Sequence, residues 1–250
     1  MENFLICLLC GFIAQMIDGT LGMAYGISSS TLLRAMGMSS AMASFSTHTA
    51  EIFTTLVSGI SHIKMNNFDR KLFIRLVIPG VLGGVFGAYV LTGFNDAVIS
   101  PIVSLYLIVM GIVIFTKAFG KKEKPPRDIG KGVYPLALVG GFSDSIGGGG
   151  WGPVVTSTLL AINCDIRKTI GTVNAAEFFV TFAESAAFFF MIGSLGEFLP
   201  SVLGLIAGGI AASPIAAYLC KRVPVKPLIA FVGILVTGIN MWKFADSVFF

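Results

Sequence analysis

The sequence predicts an all-α polytopic membrane protein. It reads as two inverted repeats, each a re-entrant broken-helix hairpin plus three transmembrane helices, eight apolar segments in all. Three observations predict this. The first is composition: of 250 residues 55% are hydrophobic and 12% charged, about half the charged share of a soluble domain, with a mean hydropathy of +0.87. The second is a glycine run, Gly147 to Gly150 and Gly152, inside a long apolar stretch. Glycine in a helix interior costs about 1 kcal/mol relative to alanine, so this run predicts a break. Broken backbone at membrane depth is tolerated only where protein buries it or it lines a cavity. The third is an internal echo: Asp18, Gly22, Tyr25 and Gly26 fall on Asp144, Gly148, Trp151 and Gly152 in a gapless match of 18–55 with 144–181.

The segments follow in order. The first, about 4–33, is interrupted at Asp18–Gly26. Others run at about 39–63, 72–91 and 97–119. A polar linker with Pro125-Pro126 occupies 120–131, followed by a second broken segment at about 133–162 and spans near 168–192, 199–219 and 227–249. The repeats are therefore 1–119 and 132–250. Paired glycines, Gly83-Gly84 and Gly208-Gly209, recur late in each half. Two broken segments at equivalent places in two halves mark a transporter's binding site.

Charge sets the orientation. With all eight segments spanning, Lys and Arg divide eleven against six; with 133–162 re-entering on one face they divide fifteen against two, Arg34 and Lys243. The positive-inside rule selects the second arrangement. Length agrees, because a helix of about 30 residues would be near 45 Å against a core of about 30 Å. Two arms of about 12 residues would reach roughly the midplane and return. Repeat similarity extends the hairpin to 4–33, which places the linker in the cytoplasm and both termini outside. The net charge of +4 is thus a topology signal and gives no reason to expect nucleic acid. The N-terminus lacks the basic start and cleavage site of a signal peptide. Cys7, Cys10, Cys164 and Cys220 form no metal-ligand framework; Cys7 and Cys10 read as packing in an apolar run.

The candidate site gathers at the breaks. Pro153 suits the first position of a returning helix, whose free N–H groups and dipole favour a small anion without a basic side chain. Gly147, Gly148, Gly149, Gly150 and Gly152 allow close backbone approach, and Gly22 and Gly26 take that role in the first repeat, where Ser28 to Thr31 add hydroxyls. The alternative is that these glycines only pack helices. On the helix after each hairpin, Ser46, His48 and Glu51 align with Thr172, Asn174 and Glu177. His48 and Glu51 share a face, and ionisable groups at membrane depth are functional candidates. Glu51 and Glu177 read as proton carriers or hairpin braces, Asp18 and Asp144 as caps at the tips. Tyr25 and Trp151 either gate the cavity or fill packing gaps. Glu184 and Glu197 have no counterpart in the first repeat.

At these residues the sequence resembles the TauE/SafE sulfite exporter family. The resemblance rests on Gly147–Pro153, its weaker first-half copy, the Thr172-Val173-Asn174 stretch and two four-segment halves, and covers nearly the whole chain. It implies an anion permease of the inner membrane for sulfite or organosulfonates. The expected function is a secondary transporter by alternating access, with protons as a further partner and no cofactor or metal. The chain contains no GxxxxGK[ST] for ATP. An intramembrane enzyme, an accessory protein for complex assembly and a passive channel stand as alternatives; HExxH and GxSxG are both lacking.

Overall fold

The computed structural model describes residues 2–117, 130–161, 164–220 and 226–249; the linker expected at 120–131 lies outside them except for its last two residues. Among the described residues the chain is helical throughout, without strands. The first half comprises α1 (Glu2–Leu21), α2 (Tyr25–Ala35), α3 (Ser40–Lys64), α4 (Arg70–Gly93) and α5 (Asp96–Lys117). In the second half come α6 (Val133–Gly147), a π-turn (Gly152–Thr156) running into α7 (Ser157–Ala161), α8 (Ile166–Ile192), α9 (Leu199–Leu219) and α10 (Lys226–Phe249). Five helical stretches, Asn3–Leu21, Arg70–Gly93, Asp96–Thr116, Ile166–Ile192 and Gly196–Leu219, are long and apolar enough to cross a bilayer. The protein is a polytopic membrane protein.

Local sequence explains where the helices start. Ser39 caps α3, its Oγ accepting from Met42 N at 3.3 Å, and Asp165 caps α8, its Oδ1 accepting from Lys168 N at 2.9 Å. These two caps occupy equivalent places after the two broken segments. Asp69 caps α4 through Lys71 N and Leu72 N. Each supplies an acceptor to first-turn N–H groups that the helix cannot satisfy.

The breaks are narrower than the sequence suggests. Helix persists through Asp18 and Gly19 to Leu21 and through Asp144 to Gly147, leaving only 22–24 and 148–150 non-helical. One glycine costs too little to stop a helix that packs well on its neighbours. The chain turns instead where φ becomes positive, at Gly22 (68°) and Gly148 (64°), the left-handed stop that glycine adopts without a Cβ penalty. The arms are therefore unequal, not about 12 residues each. The first arms hold 20 and 15 residues, and α2 holds 11.

Packing pairs the halves reciprocally: α1 lies along α9, α6 along α4, α3 against α8 and α5 against α10. Glycines make the first two contacts close. A Cβ on Gly208 would collide with Leu8 O, and one on Gly83 with Leu138 O. Moving along α4, Gly80 meets Gly141 and Gly87 meets Ser145, so α4 and α6 run in the same direction. In contrast, α3 and α8 run oppositely, with Phe45 near Phe188 at one end and Ser58 bonded to Asn174 further along. Asp69 N donates to Thr172 Oγ1 at 2.8 Å, which seats the second turn of α8 beside the α3–α4 connection. Val133 and Leu159, near the two ends of the second broken segment, share one core cluster with Leu76 of α4.

The small-residue contacts yield a stability prediction. Gly83→Leu should destabilise the protein by about 1–3 kcal/mol through overpacking. Gly93→Ala and Gly238→Ala, whose added Cβ meets nothing within 4 Å, should leave thermal unfolding in detergent unchanged or slightly raised. Equal melting of all three would reject the close-contact account.

Candidate functional site

The two breaks meet. A Cβ on Gly26 would stand 2.6 Å from Gly149 Cα and 2.8 Å from Glu51 Oε1, and one on Gly152 2.5 Å from Gly22 O. The junction is enclosed by α3 and α8, and both Tyr25 and Trp151 beside it are fully buried. Their polar ends are tied to neighbouring helices: Tyr25 OH donates to Leu205 O at 3.0 Å and Trp151 Nε1 to Val173 O at 3.2 Å. Each aromatic therefore locks the start of its returning arm to the opposite half (Tyr25) or to the next helix (Trp151).

The aspartates supply the acceptors that the broken backbone needs. Asp144 Oδ1 takes the N–H groups of Gly150 (2.5 Å) and Trp151 (2.9 Å), and its carbonyl takes Gly149 N at 3.0 Å. Asp18 repeats this, with its carbonyl on Gly22 N at 2.5 Å and its carboxylate on Tyr25 N. Some N–H groups that the sequence leaves for an anion are thus held by the protein itself. In the first turn of α2, Gly26 and Ile27 lie too early for a helical acceptor.

Hydroxyls complete the tips. Ser30 Oγ lies 2.5 Å from the place a Cβ on Gly148 would take, and Thr156 Oγ1 lies 3.1 Å from the same place on Gly22. These are equivalent residues, each set against the left-handed glycine of the other hairpin. Both hydroxyls, with those of Ser28, Ser29 and Ser157, are buried without a hydrogen-bond partner. Sequence reading reached Ser28 to Thr31 but missed Thr156, because the second arm announces itself only by glycine and proline.

Behind the tips sits an ionisable cluster. His48 Nε2 is 2.9 Å from Glu184 Oε2, 3.5 Å from Asp144 Oδ2 and 4.0 Å from Glu51 Oε2, all four side chains being at most 2% exposed. Its other nitrogen, Nδ1, lies 2.7 Å from Ser44 O, and Ser44 Oγ donates to Ser145 O. Glu184 is the residue sequence analysis set aside for want of a repeat partner. Its signal was there: seven residues after Glu177, it lies on the same face of α8. Across the repeat relation Asn174 holds the place of His48 and Ser58 that of Glu184, and Ser58 Oγ donates to Asn174 Oδ1 at 2.7 Å. Glu177 is buried within electrostatic reach of Asp18 and Glu51.

Not every candidate faces the junction. Ser46 Oγ bonds Met38 Sδ at 3.8 Å, and Thr172 Oγ1 accepts from Asp69 N. Two residues on a helix turn the side chain by about 200°, so Ser46 and Thr172 point away when His48 and Asn174 point in. Gly147 and Gly150 pack under the Tyr106 ring. A cavity of about 530 Å³ lies elsewhere, between α3, α8 and the start of α9, walled chiefly by Phe45, Ile52, Phe182 and Phe189; the tip residues do not line it. None of the four cysteines is in a disulfide.

A family described as sulfite exporter TauE/SafE matches residues 7–241. A protein of Bacillus subtilis (strain 168) described as probable membrane transporter protein YtnM is 40% identical over 256 residues, spanning 97% of this chain and 85% of that protein. No solved structure matches.

The caps give a testable expectation. Asp144→Ala strands two buried N–H groups and should cost about 2–3 kcal/mol, whereas Asp144→Asn keeps an acceptor and should recover most of the loss. Chemical denaturation in mild detergent measures both; equal losses would reject the capping role.

Proposed function

Since the chain belongs to the sulfite exporter TauE/SafE family, we propose that it is a secondary transporter of a small sulfur oxyanion, sulfite or an organosulfonate. Membership makes it a membrane transporter of this type; the geometry supports the finer reading. One observation carries it: Ser30 and Thr156, equivalent and unpartnered, converge on glycine-lined breaks beside the first turn of α2. Neutral donors on close-set backbone are the chemistry that holds an oxyanion without a fixed positive charge.

The membrane arrangement is two inverted repeats. In support, α6 starts alongside the start of α4 and α8 starts beside the α3–α4 connection, which returns the segment 133–162 to the face it entered. The reciprocal pairing of α1 with α9 and α6 with α4 is what a two-fold exchange of halves produces. Each half then has an odd number of crossings, the linker is cytoplasmic, both termini are outside, and rocking of one half on the other exposes the tips alternately. Glu51 and Glu177 lie where binding of the anion and of protons would be felt together.

Sulfite flux into proteoliposomes tests the reading. Ser30→Ala with Thr156→Val should raise KM for sulfite roughly tenfold or more, from two hydrogen bonds of about 1 kcal/mol each. An unaltered KM in the folded double variant would remove the tip as the anion site. For topology, a single cysteine at Asn3, placed in a cysteine-free background, should react with an impermeant maleimide from outside intact cells; labelling only after permeabilisation would overturn the N-terminal hairpin.

A further inference from the structure

We propose that His48 Nε2, together with Glu184, Asp144 and Glu51, forms a proton-binding site, and that it exists at only one of the two repeat-related contacts between α3 and α8. The transport arm of this inference rests on the function proposed above; the binding arm does not.

Donor and acceptor accounting leads to it. Ser44 O, 2.7 Å from Nδ1, can only accept, so Nδ1 carries the hydrogen and the Nε2 edge of a neutral ring is a bare lone pair. That lone pair would face three carboxylates at 2.9, 3.5 and 4.0 Å. Ionised carboxylates also only accept. Nε2, both oxygens of Glu184, Asp144 Oδ2 and Glu51 Oε2 indeed have no hydrogen-bond partner. Acceptors converging on an acceptor, away from water, require a positive species between them. A proton on Nε2 shared with Glu184 Oε2 satisfies the pair, because 2.9 Å is a charge-assisted N–H···O distance.

The surroundings offer no other compensating charge. The titratable groups facing Nε2 are Glu51 from α3 itself, Asp144 from α6 and Glu184 from α8; the face of the ring lies on Phe188. Gly84, the α4 residue touching Glu184, lies nine or more residues beyond Arg70, Lys71 and Arg75, and α2's Arg34 is engaged by Asn240, Ser100 and Ser104. His62 is different: its Nε2 donates to Gly19 O, while Asn67 Nδ2 faces its Nδ1, a pattern that suits a neutral ring. At the repeat-related contact, Asn174 and Ser58 replace His48 and Glu184 with a satisfied neutral pair. The link to the tip is Asp144, whose Oδ1 holds Gly150 and Trp151 while Oδ2 faces Nε2. Proton arrival and departure at Nε2 therefore change the charge felt by the oxygen pair that caps the hairpin.

The chain has two histidines, so the full-length protein labelled with ¹⁵N-histidine in lipid nanodiscs gives two ring systems to read by NMR. Near pH 7, His48 should show both ring nitrogens protonated and His62 only Nε2. Glu184→Gln should strip the Nε2 proton from His48. In proteoliposomes the ratio of sulfite flux with a pH gradient to flux without should fall to one in Glu184→Gln and in His48→Asn, which copies Asn174 at the repeat-related position. An unprotonated Nε2 in the wild type across roughly pH 5–8 overturns the proposal. So does a His48 signal that changes on chelation, which would make the occupant a metal ion. A wild type that moves no sulfite removes that substrate alone, and the ring-nitrogen reading still decides the proton site.

Discussion

The structure depends on one constraint: two helices are broken where no water reaches, and every exposed backbone group at the breaks needs a partner. An unpaired peptide group in an apolar medium costs several kcal/mol. The aspartate four residues before each left-handed glycine meets part of this need. Asp18 and Asp144 each accept backbone N–H groups through both the main chain and the carboxylate. The rest is met by burying each break against the other, Gly26 on Gly149 and Gly152 on Gly22. Each break is thus closed by the other, so the junction requires both.

The same constraint explains why the halves are alike in backbone and unlike in charge. Glycine and aspartate serve the break and recur. The groups behind it are free to diverge, and they do: His48 and Glu184 face Asn174 and Ser58 across the repeat relation. One contact between α3 and α8 carries ionisable partners and the repeat-related one their neutral equivalent. Confining the ionisable pair to one of the two contacts avoids the desolvation cost of a second buried pair. Arg34 shows the expense of doing otherwise. Buried in the last turn of α2, it takes Asn240, two serine hydroxyls and Ser100 O to satisfy it.

Much of this was legible in the sequence because glycine and aspartate have few other reasons to recur together. The echo of Asp18–Gly26 in Asp144–Gly152 located both breaks, and each opens on a positive φ at the matched pair Gly22 and Gly148. Arm lengths were not legible. The sequence marks where a helix is weak, while packing of α1 along α9 and of α6 along α4 decides how far it continues. Glu184 and Thr156 escaped for opposite reasons. Glu184 has no repeat partner, so an argument from symmetry discards it. Thr156 has one, Ser30, but a lone hydroxyl carries no signal until a structure shows that it bonds to nothing.

That last point separates a ligand site from a packing device. Hydroxyls in membrane helices ordinarily fold back on the carbonyl one turn earlier, which costs nothing and asks for no ligand. Thr20, Thr49, Thr92 and Thr181 do so at 2.8–2.9 Å. Ser28, Ser29, Ser30, Thr156 and Ser157, all at the returning arms, do not. A buried unpaired hydroxyl costs about 1–3 kcal/mol, so five together are a burden that tight helix packing alone would have no use for. Ser40, Thr47, Tyr106 and Ser185 also carry buried unpartnered hydroxyls, but at the two breaks such groups gather and include the equivalent residues Ser30 and Thr156. Hydroxyls left open around two glycine breaks are instead a set of donors that the chain itself does not satisfy, which is the chemistry that the proposed oxyanion would meet.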